Sequence, residues 1–435
     1  MEVVVTGSNV SSANSFLTVS DVQSGSHLHT FKLCSSSDRA VALIGSALFV
    51  AQNDKAIINV YRWHKEAIDQ KIIIPEKLET LACSRDGTWL LGGASSGKIY
   101  LWETASGNLV FVKDAHYQSV AACAFSDDGF TFVTGSADTT VQIWKLTDVL
   151  DPYTSQELIK PRLTLTNHTL SIVDLHIGAG TSVSARLYTA STDQTVRIWD
   201  LATGELLSTL LFPLPVTCLA VDSAERHLYA GTSAGIIHEV KLYKQDKVIS
   251  VIGDMGAIVT VGQSDEGALM GHESAISSLS LSLDGSLLTS GAGDGQVFVW
   301  DVSTKQMVRK LKNQPGPISL LFSTIRPTEE AIVSKSSNNQ FQPLKRAQTE
   351  RDRDEHSVHI KLTHSTRTSK FRPPTDIEAA RAGLTHLKGP TTTSDPVAQE
   401  TIVKLQDELR KLYGTYSELR TKHERLTKDY IATQL

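Results

Sequence analysis

A short segment that ends in tryptophan recurs along this 435-residue chain and constrains its fold more than any other feature. Apolar and variable positions alternate up to the Trp, which is the pattern of a strand with one buried face. A turn with an acidic residue (Asp138, Asp193 or Asp294) precedes each of the three clearest copies. Those copies are residues 141–144, 196–200 and 297–301, and residues 98–102 form a fourth copy without the acidic turn.

Weaker copies extend the register to strand ends at positions 20, 61, 102, 144, 199, 240 and 300. Successive ends are 41, 41, 42, 55, 41 and 60 residues apart, so two intervals contain insertions. A repeat of about 40–45 residues that ends in Trp-Asp is typical of WD-type β-propellers, in which each repeat supplies four strands. The sequence therefore predicts an all-β fold, a seven-bladed WD-repeat β-propeller.

The two ends of the repeat region predict how the ring closes. Residues 2–6 already have a strand pattern, so the chain begins inside a blade, and residues 317–322 supply the missing strand of that blade. Pairing the first and last strands removes an open sheet edge. Because a ring of repeats folds as one unit, we expect residues 1–333 to form a single propeller domain.

Three repeats contain a His, a hydroxyl residue, an Asp and a Trp at the spacing of the buried tetrad of WD propellers. The indole N–H of the Trp donates a hydrogen bond to the hydroxyl, and the hydroxyl donates to the His ring. The other side of that ring bonds to the Asp carboxylate, which cannot be buried unpaired. We interpret these groups as structural, not as metal or catalytic sites. They are His116, Thr134, Asp138 and Trp144; His168, Thr189, Asp193 and Trp199; and His272, Ser290, Asp294 and Trp300. Trp102 lacks both the His and the Asp.

Patterns that resemble catalytic motifs fail on their context. Residues 93–97 and 231–235 fit Gly-x-Ser-x-Gly, but a strand pattern follows each, whereas a nucleophile elbow needs a helix. Four widely spaced cysteines favour buried thiols in a reducing compartment over disulfides or a metal site. No apolar run is long enough to span a membrane. We therefore predict no enzyme activity, cofactor, metal site or membrane span.

The segments outside the repeat pattern are two insertions and a polar linker. Residues 145–163 and 243–270 are long enough either to contact partners or to be disordered. Residues 334–396 are rich in Ser, Thr, Asn and Pro and predict a flexible linker. Its mildly basic part, residues 345–372, favours a solvated tether; weak RNA contact or a nuclear-import signal are the alternatives.

The tail, residues 397–432, has apolar or amphipathic residues in alternating steps of three and four. This strict heptad spacing predicts a C-terminal α-helix in a coiled coil, which pairs with a second copy or with a partner. The oligomerisation positions are Ile402, Leu405, Leu409, Leu412, Tyr416, Leu419 and Leu426, and His423 and Tyr430 continue the seam.

The whole layout resembles the WD-repeat subunits of the fungal Ipi/Rix pre-ribosomal complex, a family whose animal member is WD repeat-containing protein 18. The insertion after Trp144 and the terminal helix belong to the resemblance. The residues that carry it are 1–5, 101–109, 116–120, 171–176, 192–196 and 203–207.

The resemblance implies a non-enzymatic scaffold in maturation of the large ribosomal subunit, in the nucleus and nucleolus. It implies a role in removing the second internal transcribed spacer from the pre-60S particle. The implied partners are a large helical-repeat protein and an AAA-type remodelling ATPase. The alternatives are an adaptor of a ubiquitin ligase or of a chromatin or checkpoint complex. Ligase receptors usually carry Trp-Asp-x-Arg, and here Ala202 and Ser303 replace the Arg.

Overall fold

The computed structural model describes residues 1–10, 16–32, 34–63, 65–151, 158–243, 257–261, 268–311, 314–326 and 341–347. All of them belong to one compact unit, Met1–Ser357. Regular structure in these ranges is almost entirely β-strand, with one short helix, α1 (Leu146–Val149). No helix among the described residues is long and apolar enough to cross a membrane.

The strands follow one another closely along the chain. The first ten are β1 (Glu2–Ser8), β2 (Phe16–Asp21), β3 (His27–Lys32), β4 (Ser36–Ile44), β5 (Ala47–Gln52), β6 (Ile57–Arg62), β7 (Gln70–Ile73), β8 (Leu78–Cys83), β9 (Trp89–Ala94) and β10 (Lys98–Glu103). The next ten are β11 (Leu109–Asp114), β12 (Val120–Phe125), β13 (Thr131–Ser136), β14 (Val141–Lys145), β15 (Leu163–Leu165), β16 (Ile172–Ile177), β17 (Arg186–Ser191), β18 (Thr195–Asp200), β19 (Leu206–Leu211) and β20 (Val216–Val221). The last are β21 (His227–Thr232), β22 (Ile236–Lys241), β23 (Ala257–Thr260), β24 (Ala268–Met270), β25 (Ile276–Leu281), β26 (Leu287–Ala292), β27 (Val297–Asp301), β28 (Gln306–Lys310) and β29 (Ile318–Ile325).

Turns with the sequence Asp-Gly connect four pairs of consecutive strands: β8 and β9, β12 and β13, β25 and β26, and β26 and β27. In the turn between β8 and β9, Gly87 has a φ of +74°, a conformation that costs glycine little. The carboxylate of Asp86 accepts hydrogen bonds from the hydroxyl of Ser84 at 2.6 Å and from the backbone N–H of Thr88 at 3.2 Å. These local bonds satisfy the polar groups of the turn and fix its register.

Within the described part of the chain the strands form six sheets. Five of them contain four or five strands, in the orders β29-β1-β2-β3, β12-β13-β14-β15, β16-β17-β18-β19-β23, β20-β21-β22-β24 and β25-β26-β27-β28. The sixth has eight strands in the order β11-β10-β9-β8-β4-β5-β6-β7. Its two antiparallel halves meet where β4 lies parallel to β8, at Ala40 and Leu81.

The innermost strands of the sheets form a closed circuit. Each contacts the next in the order β4, β8, β12, β16, β20, β25 and β29, and β29 contacts β4. Apolar side chains fill the spaces between neighbouring sheets: Val133 and Ile143, for example, share a cluster with Leu175, Leu187 and Trp199. A circuit of sheets packed face to face is a propeller, so the predicted all-β propeller is confirmed.

The ring closes between the first and last strands, as the sequence predicted. β1 pairs antiparallel with β29 from Glu2 opposite Ile325 to Ser8 opposite Ile318, with a bulge between Gly7 and Ser8. This pairing turns three local strands into a complete four-stranded sheet and leaves no open edge on the inner side of β1.

The insertions add structure to the ring. In the first, α1 buries Leu146 and Val149, and Ile159 joins the same core cluster, so part of this interval belongs to the core of the propeller. In the second, β23 lies parallel to β19 as a fifth strand, and β24 is the outer strand beside β22.

Residues 341–347 correct the predicted linker. Leu344 is 6% exposed and packs in the core cluster between the two halves of the eight-stranded sheet. The prediction of a flexible linker over residues 334–396 is therefore wrong for these seven residues, because two apolar side chains anchor an otherwise polar stretch. Residues 334–340 and 348–396 of the predicted linker lie outside the described residues. The predicted helix of residues 397–432 also lies outside them.

Closure by β29 predicts a stability difference between two positions on that strand. Leu320→Ala should lower the free energy of unfolding by about 2–5 kcal/mol, because Leu320 is 4% exposed and packs against β1 and its neighbours. Ile325→Ala is the matched control and should change it by less than about 0.5 kcal/mol, because Ile325 is 59% exposed. Urea unfolding followed by circular dichroism measures both. Equal losses would contradict the role of Leu320 in closing the ring.

Candidate functional site

The His168 group forms a continuous chain of hydrogen bonds inside one blade. The indole N–H of Trp199 donates to the hydroxyl of Thr189 at 3.0 Å, and that hydroxyl lies 2.8 Å from Nε2 of His168. Nδ1 of His168 lies 3.0 Å from Oδ2 of Asp193. Since a carboxylate only accepts, Nδ1 carries the ring proton and Nε2 accepts the hydroxyl of Thr189.

The His116 group has the same order one blade earlier. Nε2 of His116 lies 2.9 Å from the hydroxyl of Thr134, and the indole N–H of Trp144 donates to that hydroxyl at 3.4 Å. Nδ1 lies 3.2 Å from Oδ2 of Asp138. The structure thus brings all four predicted residues together in both of these blades.

The third group is incomplete, and our prediction is wrong for Asp294. The hydroxyl of Ser290 lies 2.7 Å from Nε2 of His272 and accepts the indole N–H of Trp300 at 2.8 Å. Nδ1 of His272 has no hydrogen-bond partner among the described residues, and its ring stacks on Phe298 with centroids 4.3 Å apart. The carboxylate of Asp294 instead accepts the backbone N–H of Gln296.

The residue two positions after the Asp explains why the third group lacks the His-Asp hydrogen bond. In the complete groups a Thr lies two positions after the Asp, and Thr140 and Thr195 donate both a backbone N–H and a hydroxyl to Oδ1 of that Asp. Those two bonds hold the carboxylate so that Oδ2 faces the His. Gln296 has no hydroxyl, so Asp294 receives only the backbone bond. The identity of this residue is the sequence signal that we missed.

Burial and charge make these groups structural. The side chains of His116 and His168 are 0% and 1% exposed, so no substrate reaches them. Burial lowers the pKa of His116 and keeps its ring neutral. Burial alone would raise the pKa of Asp193, but hydrogen bonds from His168 and Thr195 outweigh it, and the pKa lies below its ordinary value.

The two complete groups also hold the backbone of exposed loops. Oδ2 of Asp138 accepts the N–H of Tyr117 at 3.0 Å, and Oδ2 of Asp193 accepts the N–H of Thr169 at 3.2 Å. Tyr117 is 98% exposed, and Leu170, next to Thr169, is 52% exposed. Both loops lead into an innermost strand, so they lie at the same end of the propeller. We call this end, with Tyr117 and Leu170, the loop face.

The Gly-x-Ser-x-Gly segments are strand and turn, as the sequence predicted. Gly93 lies in β9, where a Cβ atom would come within 2.6 Å of the side chain of Val120. Gly97 has a φ of +89°, and the hydroxyl of Ser96 donates to Glu76 at 2.6 Å. Close packing and turn geometry therefore account for the glycines, and Ser95, the serine of the motif, lies in the turn between β9 and β10.

Comparison with known proteins gives the family. The model of the WD domain, G-beta repeat, matches residues 107–145, 159–200 and 264–301, which include the three His groups. Pre-rRNA-processing protein IPI3 of Yarrowia lipolytica is 34% identical over 94% of this chain and 95% of its own length. The chain belongs to the family of IPI3 and WD repeat-containing protein 18. The resemblance inferred from the sequence is confirmed.

Two other members of this family show how far the similarity extends. Pre-rRNA-processing protein crb3/ipi3 of Schizosaccharomyces pombe is 35% identical over 75% of this chain and 77% of its own length. Human WD repeat-containing protein 18 is 33% identical over 71% of this chain and 72% of its own length.

The four cysteines of this family member are free and protonated, and the described residues form no cluster that could hold a metal ion. Burial raises the pKa of all four cysteines to about 12, so the thiols are protonated at neutral pH. All four are free: Cys34, Cys83, Cys123 and Cys218. No group of three His, Cys, Asp or Glu residues in the described ranges could hold a metal ion.

Sequence reasoning missed a link across the ring. Arg39 in β4 has a φ of +54°, and its guanidinium donates to the carbonyls of Val173 at 2.8 Å and Thr217 at 2.9 Å. It also lies 3.1 Å from Asp174, whose other oxygen accepts the N–H of Leu219 at 2.7 Å. These contacts join β4 to β16 and β20, which are not its neighbours in the circuit. The available signal was Asp174 itself, a charge within an apolar strand pattern that needs a partner.

The complete and incomplete groups predict different costs for one substitution. Asp193→Asn should lower the free energy of unfolding by about 1–3 kcal/mol, because it removes the charge from a buried His-Asp pair. Asp294→Asn is the matched control and should cost less than about 0.5 kcal/mol, because His272 does not bond to it. Chemical denaturation at pH 7 measures both. Equal costs would show that Asp294 contributes like Asp193.

Asp193 should also make the stability of the folded protein depend on pH in acid. In the unfolded chain an Asp takes up a proton near pH 3.9, whereas folded Asp193, with its lowered pKa, stays ionised to lower pH. Its stabilisation is complete above about pH 4 and is lost as the pH falls toward the folded pKa. Below about pH 4 the unmodified protein should therefore lose stability more steeply than Asp193→Asn. Parallel pH curves would contradict this.

Proposed function

We propose that this protein acts in rRNA processing and ribosome biogenesis as a non-enzymatic scaffold. The observation that carries the proposal is the 34% identity to a pre-rRNA-processing protein over almost the full length of both chains. The buried His groups and protonated thiols support scaffolding over catalysis, because the His side chains are out of reach of a substrate and the thiols are not in their nucleophilic form.

We propose that the ring has seven blades. The circuit of innermost strands supports this count if the eight-stranded sheet is taken as two blades that touch at a single parallel pair. Each half then has four antiparallel strands, like the other blades. We also propose that the propeller domain extends over residues 1–333, with the docked residues 341–347 as an addition to it.

We propose that the loop face binds the partners. Tyr117 exposes nearly its whole ring, and aromatic side chains held on rigid backbone are typical anchors of protein interfaces. The proposed partners are a helical-repeat scaffold protein of the same complex and an AAA-type remodelling ATPase, on the pre-60S particle in the nucleus and nucleolus. Contact with RNA is weak or indirect, since the net charge of −5 gives no general attraction for phosphates.

The function is tested by replacing the cell's own copy of the protein. Depletion should cause precursors that contain the second internal transcribed spacer to accumulate, and the unmodified chain should restore processing. The double variant Tyr117→Ala, Leu170→Ala should restore it poorly and sediment less with pre-60S particles, because it removes the exposed anchors of the loop face.

The matched control is Val183→Ala, Leu283→Ala. Val183 and Leu283 are 75% and 58% exposed in turns at the opposite end of the propeller, so this variant should restore processing. Normal spacer processing after depletion would overturn the ribosomal function. Equal behaviour of the two variants would overturn only the assignment of the loop face.

We propose that residues 397–432 form a coiled coil that pairs two chains. Leu405→Asp, Leu412→Asp places charges in the apolar seam and should halve the mass measured by light scattering. Asp407→Ala, Lys411→Ala changes positions outside the seam and should leave the mass unchanged. A mass that stays the same in both variants would contradict pairing through the seam.

A further inference from the structure

The blade that contains Trp102 satisfies its indole in an unusual way. Trp102, the next-to-last residue of β10, is fully buried, but its repeat has no His and no Asp at the tetrad positions, and Gly92 occupies the position of the hydroxyl residue. Its indole N–H donates to the backbone carbonyl of Lys345 at 3.1 Å, a residue 243 positions later in the chain. A buried N–H without an acceptor is costly, so this distant carbonyl replaces the missing hydroxyl.

Residues 341–347, which we call the latch segment, make this contact as part of a longer one. The amide of Gln70 donates to the carbonyl of Phe341 at 2.8 Å, and the N–H of Lys345 donates to the carbonyl of Gly107 at 2.8 Å. Hydrogen bonds thus hold the backbone of the segment at both ends, from the side chain of Gln70 in β7 on one side and from the backbone of the turn after β10 on the other.

Two side chains of the latch segment enter apolar pockets. The ring of Phe341 meets that of Phe49 edge to face, with centroids 5.0 Å apart. Leu344 is buried in the cluster that includes Ile72 and Trp102, whereas Gln342 between them is exposed. Many domains recognise an extended peptide in this way, by hydrogen bonds to the backbone of the peptide and pockets for some of its side chains.

We propose that the groove between the two halves of the eight-stranded sheet is a peptide-binding site for Phe-x-Pro-Leu segments, which the latch segment occupies in cis. Pro343 has no N–H to satisfy and favours the extended backbone that places Phe341 and Leu344 in their pockets. Gly107 is part of the recognition, because a Cβ there would come within 2.6 Å of the carbonyl of Pro343.

Tethering favours the cis occupant. Only 15 residues, 326–340, connect β29 to the latch segment, and such short links give effective concentrations in the millimolar range. A free peptide of the same sequence therefore competes poorly with the intact chain. The free peptide should bind to a variant of the protein in which Phe341 and Leu344 are replaced by Ala.

The first test is limited digestion of the full chain with trypsin. The bonds after Lys345 and Arg346 should be protected in the unmodified protein, because a protease needs several residues in extended, undocked form. Phe341→Ala, Leu344→Ala should increase cleavage there roughly tenfold or more, since the undocked state becomes more populated. Gln342→Ala is the matched control and should be cleaved like the unmodified protein. Mass spectrometry identifies the sites, and equal cleavage in all three proteins would overturn the docking.

The second test is binding of a labelled peptide with the sequence of residues 339–349 to the full chain. The double variant should bind it saturably, and the unmodified protein should bind it at least about tenfold more weakly, because its groove is filled. A peptide with Ala at both anchor positions should bind to neither. Equal binding to both proteins, or none to a double variant that shows cooperative unfolding, would overturn the proposal. The single variant Leu344→Ala repeats the measurement if the double variant does not fold.

Discussion

Burial of the indole N–H at a strand end is the constraint on which this ring depends. Trp102, Trp144, Trp199 and Trp300 are each at most 2% exposed, and each indole must find an acceptor inside the protein. Three of them use a hydroxyl on the neighbouring strand, and Trp102 uses the carbonyl of Lys345. The same requirement therefore has a local solution in three blades and a long-range solution in the fourth.

The local solution connects the core to the surface. From the indole the bonds run through the hydroxyl and the His to the Asp, and that Asp also holds the N–H of an exposed loop residue. The buried side chain of Trp144 is thereby linked by hydrogen bonds to the backbone of Tyr117 on the loop face. A blade without the Asp link, such as that of His272, keeps its buried bonds but does not fix its loop in this way.

The sequence was sufficient where the determining residues are close together or repeat. Strand alternation, the closing strand β29 and two complete tetrads follow from spacing alone, because each depends on neighbours within one blade or on the symmetry of the ring. The Asp294 contact was mispredicted, since it depends on Gln296 where the other groups have Thr. Arg39 and the latch segment were not predicted, because their partners are brought near only by closure of the ring.

The tetrads and the latch segment divide the ring between two kinds of stabilisation. Complete His groups lie in the sheets of β12–β15 and β16–β19, while the eight-stranded sheet has neither and depends on apolar packing together with Phe341 and Leu344. Hydrogen bonds within a tetrad join residues of one repeat, whereas the latch contacts join residues 243 and 271 positions apart in the chain. The stability of the eight-stranded sheet therefore depends on residues that follow β29 in the chain, and a change in those residues alters it.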